Sequence, residues 1–259
     1  ARTLRGYIEQ PLIDKEEIEK RLTAIEELNS QMITREELRE YLNPIYDLER
    51  LIGRISYQTA NPRDLIAFAS SLEMLPYIKQ VLAEFKSPLL TKINEDMDPL
   101  TDITSLIRNS ITDDPPLAQK DGGIIREGYN EDVDKFRRSR TDGKKWLSEL
   151  EARERERTGI KSLKIKYNRV FGYSLEVTNT FKDLVPEDYI RKQTLTNAER
   201  YITQELKDLE DLILGAEDKL YALEFELFSS IRDQVGAEVV RIQRTAKAVA
   251  ALDVFASLA

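Results

Sequence analysis

The stretch that decides the fold is ITQELKDLEDLILGAEDKLYALEFEL, residues 202–227. Apolar residues recur in it at alternating spacings of four and three, the pattern of a helix that packs along another helix. The positions with this spacing are Ile202, Leu206, Leu209, Ile213, Ala216, Leu220, Leu223 and Leu227. The pattern predicts one long helix with a partner helix elsewhere in the chain.

The predicted partner helix lies upstream and has a weaker seam. Its heptad positions are Tyr129, Val133, Phe136, Arg140, Gly143, Leu147 and Leu150, of which Arg140 and Gly143 are poor core residues. The helix is predicted to end at Thr158-Gly159, because glycine suits a C-terminal cap. Trp146 adjoins Leu147 and is predicted to pack between helices rather than to stack on a base. Two heptad helices separated by about forty residues predict an antiparallel pair, and thirty helical residues rise about 45 Å.

The segment between these two helices has the pattern of β structure. Leu163, Ile165 and Tyr167 alternate with lysines, and Tyr173, Leu175 and Val177 alternate with polar residues, which is the period of strands. The loop 168–172 predicts a hairpin between them. A two-stranded hairpin alone is marginally stable, so its apolar face is predicted to pack on the segment that follows. The residues predicted to cover it are Phe181, Leu184, Val185, Tyr189 and Ile190, with Pro186 starting a short helix.

Helix signals dominate the first 126 residues. Asp14 with Glu17 and Thr34 with Glu37 have the spacing of capping boxes, and Asn61-Pro62 predicts another helix start. Pro76 is predicted to kink or end the helix that contains it. Shorter helices are predicted after Ser87-Pro88 and Asp98-Pro99. This part of the chain is therefore predicted to be all-α.

Composition excludes several kinds of chemistry. The 259 residues include no Cys and no His, which rules out disulfides, Cys/His zinc sites and histidine-dependent acid–base catalysis. No GxxxxGK[ST] phosphate loop occurs, and Asp121-Gly122-Gly123 is interpreted as a turn. Most of the 47 acidic residues fall at exposed helical positions, so no metal site is predicted. No apolar run approaches the roughly 20 residues of a membrane span. We expect a soluble, cytoplasmic fragment of a longer protein, because the sequence starts without Met and ends within an apolar helix.

The insert between the two helices differs in charge from the rest of the chain. From Gly159 to Tyr201 it has eight basic and five acidic residues, a balance of +3, whereas the whole chain carries −8. Lys164 and Lys166 on the first strand, and Arg191 and Lys192 just before a run of small polar donors, are candidate contacts for DNA phosphates. The alternative interpretation is that Lys164 and Lys166 form only the solvent face of a strand. Nothing resembles a base-reading helix, so contact would be independent of sequence and sensitive to salt.

Six strings carry a resemblance to a known family. They are DGGIIREGYNEDVDKFR (121–137), LEARERERTGIKSLKIKYNRVFGYSLEVT (150–178), PEDYIRKQTLTNAERYITQELKDLED (186–211) with ALDVFASLA (251–259), TLRGYIEQPLIDKEEIEKRL (3–22) and YDLERLIGRISYQTANPRDLIAF (46–68). Together they cover nearly the whole chain, which resembles the core, lever and clamp segment of the MutS family of DNA mismatch repair proteins.

The resemblance implies a mainly α fold, with a helical core and lever, a long antiparallel helix pair and a small β-containing clamp at its tip. The implied boundaries are 1–126 for the core and lever, 127–203 for the outgoing helix and clamp, and 204–259 for the returning helix and final core helix. Backbone contacts of the clamp are implied at the hairpin tip and at the start of the returning helix. The residues are Asn168, Arg169 and Val170, then Thr194, Thr196 and Asn197, and at Thr196 many relatives carry Lys, which puts this contact in doubt.

For the parent protein, the resemblance implies a nucleoid-associated homodimer that works with a MutL-type partner and binds ATP and magnesium in a separate ATPase domain. The fragment itself is expected to hold duplex DNA through its backbone, to couple it to that domain, and to have no catalytic or metal-binding residues. The alternative is a helical scaffold whose tip binds a protein partner. That alternative predicts an exposed apolar patch centred on Val170 and Phe171.

Overall fold

The computed structural model describes residues 2–117 and 122–259, and the chain divides into two compact units. The first unit comprises Ala1–Tyr129 and Phe225–Ala259, and the second comprises Asn130–Glu224. The described residues are mainly helical, with a small antiparallel sheet in the second unit. The predicted fold class is therefore confirmed. None of the described helices combines the length and the apolar character needed to cross a membrane.

The first unit is built around its last helix. Its first eight helices are α1 (Arg2–Glu9), α2 (Lys15–Ser30), α3 (Met32–Leu42), α4 (Leu48–Ser56), α5 (Pro62–Leu72), α6 (Leu75–Leu82), α7 (Pro88–Asp96) and α8 (Thr101–Ser110). Its last helix is α11 (Val239–Leu258). Helix α11 packs against α1, α2, α3, α4 and α7 and buries residues on several of its faces, including Leu252 and Phe255. A helix that is apolar around most of its circumference is expected at the centre of a core.

Several helix boundaries of the first unit follow the sequence signals, and one differs. Asp14 accepts a hydrogen bond from the Glu17 amide, and Asn61 with Asp64 forms a reciprocal capping box. The prediction for Thr34 is wrong, because α3 already begins at Met32. The prediction for Pro76 is confirmed, because the helix that starts after Asn61 ends before it: α5 ends at Leu72, and Pro76 lies in the first turn of α6, where its missing N–H costs no helical hydrogen bond. The turn predicted at Asp121-Gly122-Gly123 begins outside the described residues.

The second unit contains an antiparallel pair of long helices, as predicted. Helix α9 spans Glu131–Thr158, and α10 spans Gln204–Ala237, the last part of which belongs to the first unit. Arg153, late in α9, forms an ion pair with Glu205, early in α10. Arg137, early in α9, lies 2.9 Å from Glu224 of α10. The order of contacts is reversed between the helices, so they run in opposite directions. Gly159 ends α9 in the left-handed conformation with φ 71°, which confirms the predicted cap.

The insert between the helices forms a four-stranded antiparallel sheet rather than a two-stranded hairpin. Its strands are β1 (Lys164–Asn168), β2 (Gly172–Thr178), β3 (Ile190–Thr194) and β4 (Ala198–Ile202), in the spatial order β1-β2-β4-β3. Ile202 is therefore a strand residue, not the first helical residue of the heptad. Pro186 starts no helix, since the short helix of this segment is a 3-10 helix at Asn179–Leu184 that precedes it.

One face of the sheet packs on the helix pair. The shared core consists of Leu147, Leu150, Ile160, Leu163, Leu175, Val177, Tyr189, Tyr201, Leu206 and Ile213, with Phe181 and Val185 partly buried against it. The predicted packing of Leu184 and Ile190 is wrong, because both side chains are more than half exposed. Trp146 is also 40% exposed rather than enclosed between the helices, because the helical turn directs it away from the seam that buries Leu147.

Candidate nucleic-acid interface

The strand register places the two hairpin turns of the sheet at opposite ends. In β1–β2, Asn168 pairs with Gly172, so the first turn lies at the start of β2. In β2–β4, Thr178 pairs with Ala198, so the turn between β3 and β4 lies at the end of β2. We call residues 168–172 the near turn and residues 195–198 the far turn. The six residue steps from Gly172 to Thr178 correspond to about 20 Å, so the two turns form separate surfaces.

The near turn lies alongside α10. Glu210 of α10 accepts a hydrogen bond from the Tyr173 amide, and a Cβ atom added to Gly172 would overlap the Glu210 carboxylate. Asn168 Oδ1 accepts hydrogen bonds from the amides of Val170 and Phe171, at 2.8 and 3.1 Å. The oxygen of Asn168 therefore stabilises the turn itself. Arg169 and Val170 are exposed, so both are accessible to DNA, and their contact role stays a prediction.

The residues of the far turn were predicted to lie at the start of the returning helix, and this prediction is wrong. Thr194 ends β3, Thr196 and Asn197 form the turn, and α10 begins only at Gln204. The macrodipole of a helix therefore contributes nothing at Thr196 or Asn197. Both side chains are nevertheless exposed and lie next to Asn179, whose side-chain amide donates to the Thr196 carbonyl at 3.1 Å.

The outer face of the sheet carries a polar ladder that neutralises much of its own charge. Lys166 Nζ lies 2.6 Å from Glu176, Arg200 lies 3.1 Å from the same carboxylate, and Arg200 donates to Gln193 at 3.0 Å. These four residues come from the four different strands. The hydrogen bonds from Lys166 and Arg200 hold the pKa of Glu176 below its ordinary value. Lys166 is therefore a paired residue of the sheet face as well as a candidate contact.

Two further candidate bases also have partners within the insert. Arg191 lies 3.6 Å from Glu199, and the Lys192 ammonium donates to the Phe171 carbonyl of the near turn. The Lys192 bond ties β3 to the near turn and leaves the charge of the lysine only partly available. Both side chains remain exposed, so their proposed DNA contact stays a prediction.

The side chains of four basic residues of the insert have no ion pair or hydrogen bond to any described residue. They are Lys161, Lys164, Arg169 and Lys182, and all four are exposed. Lys161 and Lys182 contribute to the +3 charge of the insert but were not among the predicted contacts. Ser162, next to Lys161, shares a hydroxyl hydrogen bond of 2.9 Å with Thr178, which brings Lys161 to the far end of the sheet. Lys182 belongs to the 3-10 helix that leaves the same end.

A buried network anchors the loop before β3 to the end of α9. Tyr189 donates a hydrogen bond of 2.8 Å to Glu154, and Arg157 binds both Glu154 and Asp188. Burial of the ring, together with the bond to Glu154, raises the pKa of the Tyr189 phenol. Because Glu154 is itself buried, the loss of one partner would leave a buried carboxylate oxygen without a hydrogen bond. The network holds the sheet in a fixed position on the helix end.

The middle of the helix pair is polar where the heptad was weak. Arg140 lies 2.9 Å from Glu217, and Arg137 lies close to Glu224, whose side chain is fully buried. Gly143 faces Ile213 with no room for a larger residue. Polar pairs at such positions favour one alignment of two helices over others, at a cost in stability.

The chain combines a bundle of helices with a long antiparallel helix pair, and a small antiparallel sheet is inserted between the two long helices. The chain belongs to the MutS domain III family, whose model matches residues 1–259.

Three relatives show how close this membership is. The chain is 64% identical to the DNA mismatch repair protein MutS of Lachnoclostridium phytofermentans, 55% identical to that of Caldanaerobacter subterraneus subsp. tengcongensis and 50% identical to that of Acetivibrio thermocellus. Each match covers the whole of this chain but only 28% of the first relative and 30% of the other two. The chain thus spans less than a third of the length of these relatives.

Proposed function

We propose that this chain acts in DNA mismatch repair, as the element that holds duplex DNA by its phosphate backbone and passes movement along its helix pair. Its family membership and the names of its relatives support the repair role. The DNA-holding role is supported by the far end of the sheet, which combines unpaired lysines with exposed small donors. Because nothing in the sequence resembles a base-reading helix, the proposed contact does not depend on base sequence.

The observation that carries this proposal is the distribution of charge in the insert. Lys161, Lys164 and Lys182 have no partner among the described residues, whereas Glu176 and Glu199 are engaged by bases of the same sheet. Exposed hydroxyl and amide groups of Thr180, Thr196 and Asn197 lie at the same end. Lysines neutralise phosphate charge and the small side chains donate hydrogen bonds to phosphate oxygens.

The near turn is a weaker candidate for the same contact. Arg169 is its one unpaired base among the described residues, and Glu210 and Glu217 of α10 lie close to Tyr173. Both carboxylates are paired with bases, Lys207 at 2.6 Å and Arg140 at 2.9 Å, so within the described part of the chain the near turn offers one uncompensated base where the far end offers three. The near turn instead exposes Tyr167, Val170 and Phe171, with Val170 80% exposed. This apolar patch favours the second candidate function, a binding site for a protein partner, at the near turn.

The test is the fluorescence anisotropy of a labelled duplex titrated with the 259-residue chain over a salt series, with matched and mismatched DNA side by side. We expect weak binding that is equal for both duplexes and falls as salt rises, by about 0.9 in log K per decade of salt for each phosphate contact. Lys161→Glu/Lys182→Glu should abolish this binding. Arg169→Glu should leave most of it intact.

A charge-matched control separates local contact from net charge. Lys135→Glu/Lys144→Glu on the exposed face of α9 changes the net charge by the same −4 as the far-end variant. Equal losses in the two double variants would contradict a contact at the far end. Binding lost only with Arg169→Glu would move the contact to the near turn, and no binding at low salt would contradict DNA holding by this chain.

On family membership alone, we also propose that a longer protein containing this chain binds ATP and magnesium in a separate ATPase domain, forms a homodimer and works with a MutL-type partner. The helix pair would then couple nucleotide state to the grip on DNA. The polar pairs of Arg137 and Arg140 support a rigid alignment of α9 on α10, which such coupling needs. Nucleotide-dependent release of DNA by the longer protein, with and without a broken α10, tests this coupling.

A further inference from the structure

The far turn has a geometry that two-residue hairpins usually avoid. Thr194 pairs with Glu199, and the Leu195 amide donates to the Ala198 carbonyl at 2.8 Å, which leaves Thr196 and Asn197 as the connection. Favoured two-residue hairpins have a positive φ at one or both of these positions, because that backbone twist matches the twist of the strands. Among the described non-glycine residues only Gln58 and Leu100 have a positive φ. The far turn is thus not one of the self-stabilising types.

Asn179 supplies the missing support from outside the hairpin. Its backbone amide donates to the Asn197 carbonyl at 3.1 Å, and its side-chain amide donates to the Thr196 carbonyl, also at 3.1 Å. Two successive carbonyl groups of the turn are therefore held by one residue. Asn179 follows Thr178, the last residue of β2, so it is itself fixed by the sheet.

We propose that Asn179 is a positioning residue for DNA, which presets the far turn so that its donors face a phosphate group. This inference rests on the proposed DNA-holding function and adds a residue to it. In a trans peptide the carbonyl and the following N–H point in opposite directions. Holding the Thr196 carbonyl on Asn179 therefore directs the Asn197 N–H away from β2. The exposed Thr196 and Asn197 side chains flank this N–H.

The preset turn also accounts for how the far end can bind a phosphate with Thr rather than a base at position 196. A donor that is already oriented loses less conformational entropy when it binds. Asn179 itself donates to the protein, so it neutralises no phosphate. Its removal should weaken binding without changing the number of ions released from DNA.

The experiment compares Asn179→Ala and Asn179→Asp with the unchanged chain in the same salt series. Asn179→Asp keeps the backbone bond to Asn197 but replaces the side-chain donor by an acceptor that faces the Thr196 carbonyl. We expect Asn179→Ala to raise Kd by about tenfold, which corresponds to about 1.4 kcal/mol, and Asn179→Asp to raise Kd further because its carboxylate also repels phosphate. In Asn179→Ala the slope of log K against log salt should stay unchanged, whereas Lys161→Ala should reduce its magnitude by about 0.9.

Two further measurements exclude a loss of folding as the cause. Asn130→Ala removes an Asn side chain that accepts bonds from Asp132 and Val133 at the start of α9, so it controls for a general loss of stability in the same unit. It should leave Kd unchanged. Hydrogen exchange should become faster at the amides of residues 196–198 in the Asn179 variants, with the other amides of the sheet unaffected.

The outcomes distinguish this inference from the function on which it rests. If the unchanged chain binds DNA and both Asn179 variants bind it with the same affinity, the positioning role alone is overturned. A reduced salt slope in Asn179→Ala would overturn it as well, because Asn179 would then act as a phosphate contact. Failure of the unchanged chain to bind DNA at low salt would overturn the proposed function and this inference together.

Discussion

Gly143 of α9 packs directly against the Ile213 side chain of α10, and a Cβ atom at position 143 would overlap the Ile213 Cγ1 atom. Among the glycines of α9 and α10, Gly143 is the one at which an added Cβ would meet a side chain of the partner helix. It explains why a residue with poor helix propensity occupies the interior of a 28-residue helix. The glycine weakens α9 and at the same time permits α10 to approach it.

The first prediction concerns this contact. Gly143→Ala should lower the free energy of unfolding by about 1–3 kcal/mol, because overpacking costs more than the improved helix propensity gains. Gly215→Ala provides the matched control, since a Cβ at Gly215 meets nothing within 4 Å. That substitution should raise the free energy of unfolding by up to about 1 kcal/mol. Urea titration followed by circular dichroism measures both, and stabilisation by Gly143→Ala would contradict the close packing.

The second prediction concerns the pH dependence of the sheet. The pKa of Glu176 is lowered in the folded state by Lys166 and Arg200, so the folded state binds the proton of this carboxyl less readily than the unfolded state. Stability from this group is present above the unfolded pKa of about 4.3 and is lost as pH falls through the lower folded pKa. Glu176→Gln should therefore flatten the acid side of the stability profile. An unchanged profile between pH 2 and 5 would show that the ladder does not couple to folding.

The third prediction concerns the buried phenol that joins the sheet to α9. Tyr189→Phe removes the hydrogen bond to Glu154 and leaves that buried carboxylate with Arg157, so the free energy of unfolding should fall by about 1–3 kcal/mol. Tyr167→Phe is the control, because Tyr167 is half exposed. It should change stability by less than about 0.5 kcal/mol. Equal effects of the two substitutions would argue against the anchoring role of Tyr189.

The fourth prediction concerns the coupling that we propose for α10. Leu209 lies against the shared core of the sheet and the helix pair, and a proline there should break α10 at a cost of about 3 kcal/mol or more. In a longer protein with its ATPase domain, Leu209→Pro should abolish ATP-dependent release of DNA. Leu209→Ala, which keeps the helix continuous, should retain it. Release that persists in the proline variant would rule out transmission along α10.

Local patterns in the sequence were sufficient for the helix pair and for most helix boundaries. The capping box of Asn61 and the glycine cap at Gly159 depend on residues within one helical turn, so short-range rules identify them. The strands β3 and β4 escaped prediction for different reasons. Strand β3 is an exposed edge strand with a bulge near Lys192, so its apolar alternation is weak. Strand β4 ends at Ile202, whose spacing to Leu206 matches the heptad pattern, so Ile202 was predicted to be helical.

The candidate site depended on pairings that no local pattern contains. Sequence reasoning selected bases and donors but could not place the near and far turns at opposite ends of the sheet, because that separation follows from the pairing of β2 with β4. The ion pair between Lys166 and Glu176, and the hydrogen bond from the Asn179 side chain to the Thr196 carbonyl, could not be predicted from the sequence either. The residues Lys161 and Lys182 were visible only as part of a charge balance.

The separation of the two turns by the length of β2 has a consequence for how the insert responds to change. Groups more than about 10 Å apart, with no shared partner, contribute additively to free energy. Substitutions at Arg169 and at Asn197 should therefore combine without an interaction energy in a double-mutant cycle. Each end of the sheet can gain, lose or exchange its own binding partner while the other end keeps its affinity, so one small sheet provides two thermodynamically independent surfaces.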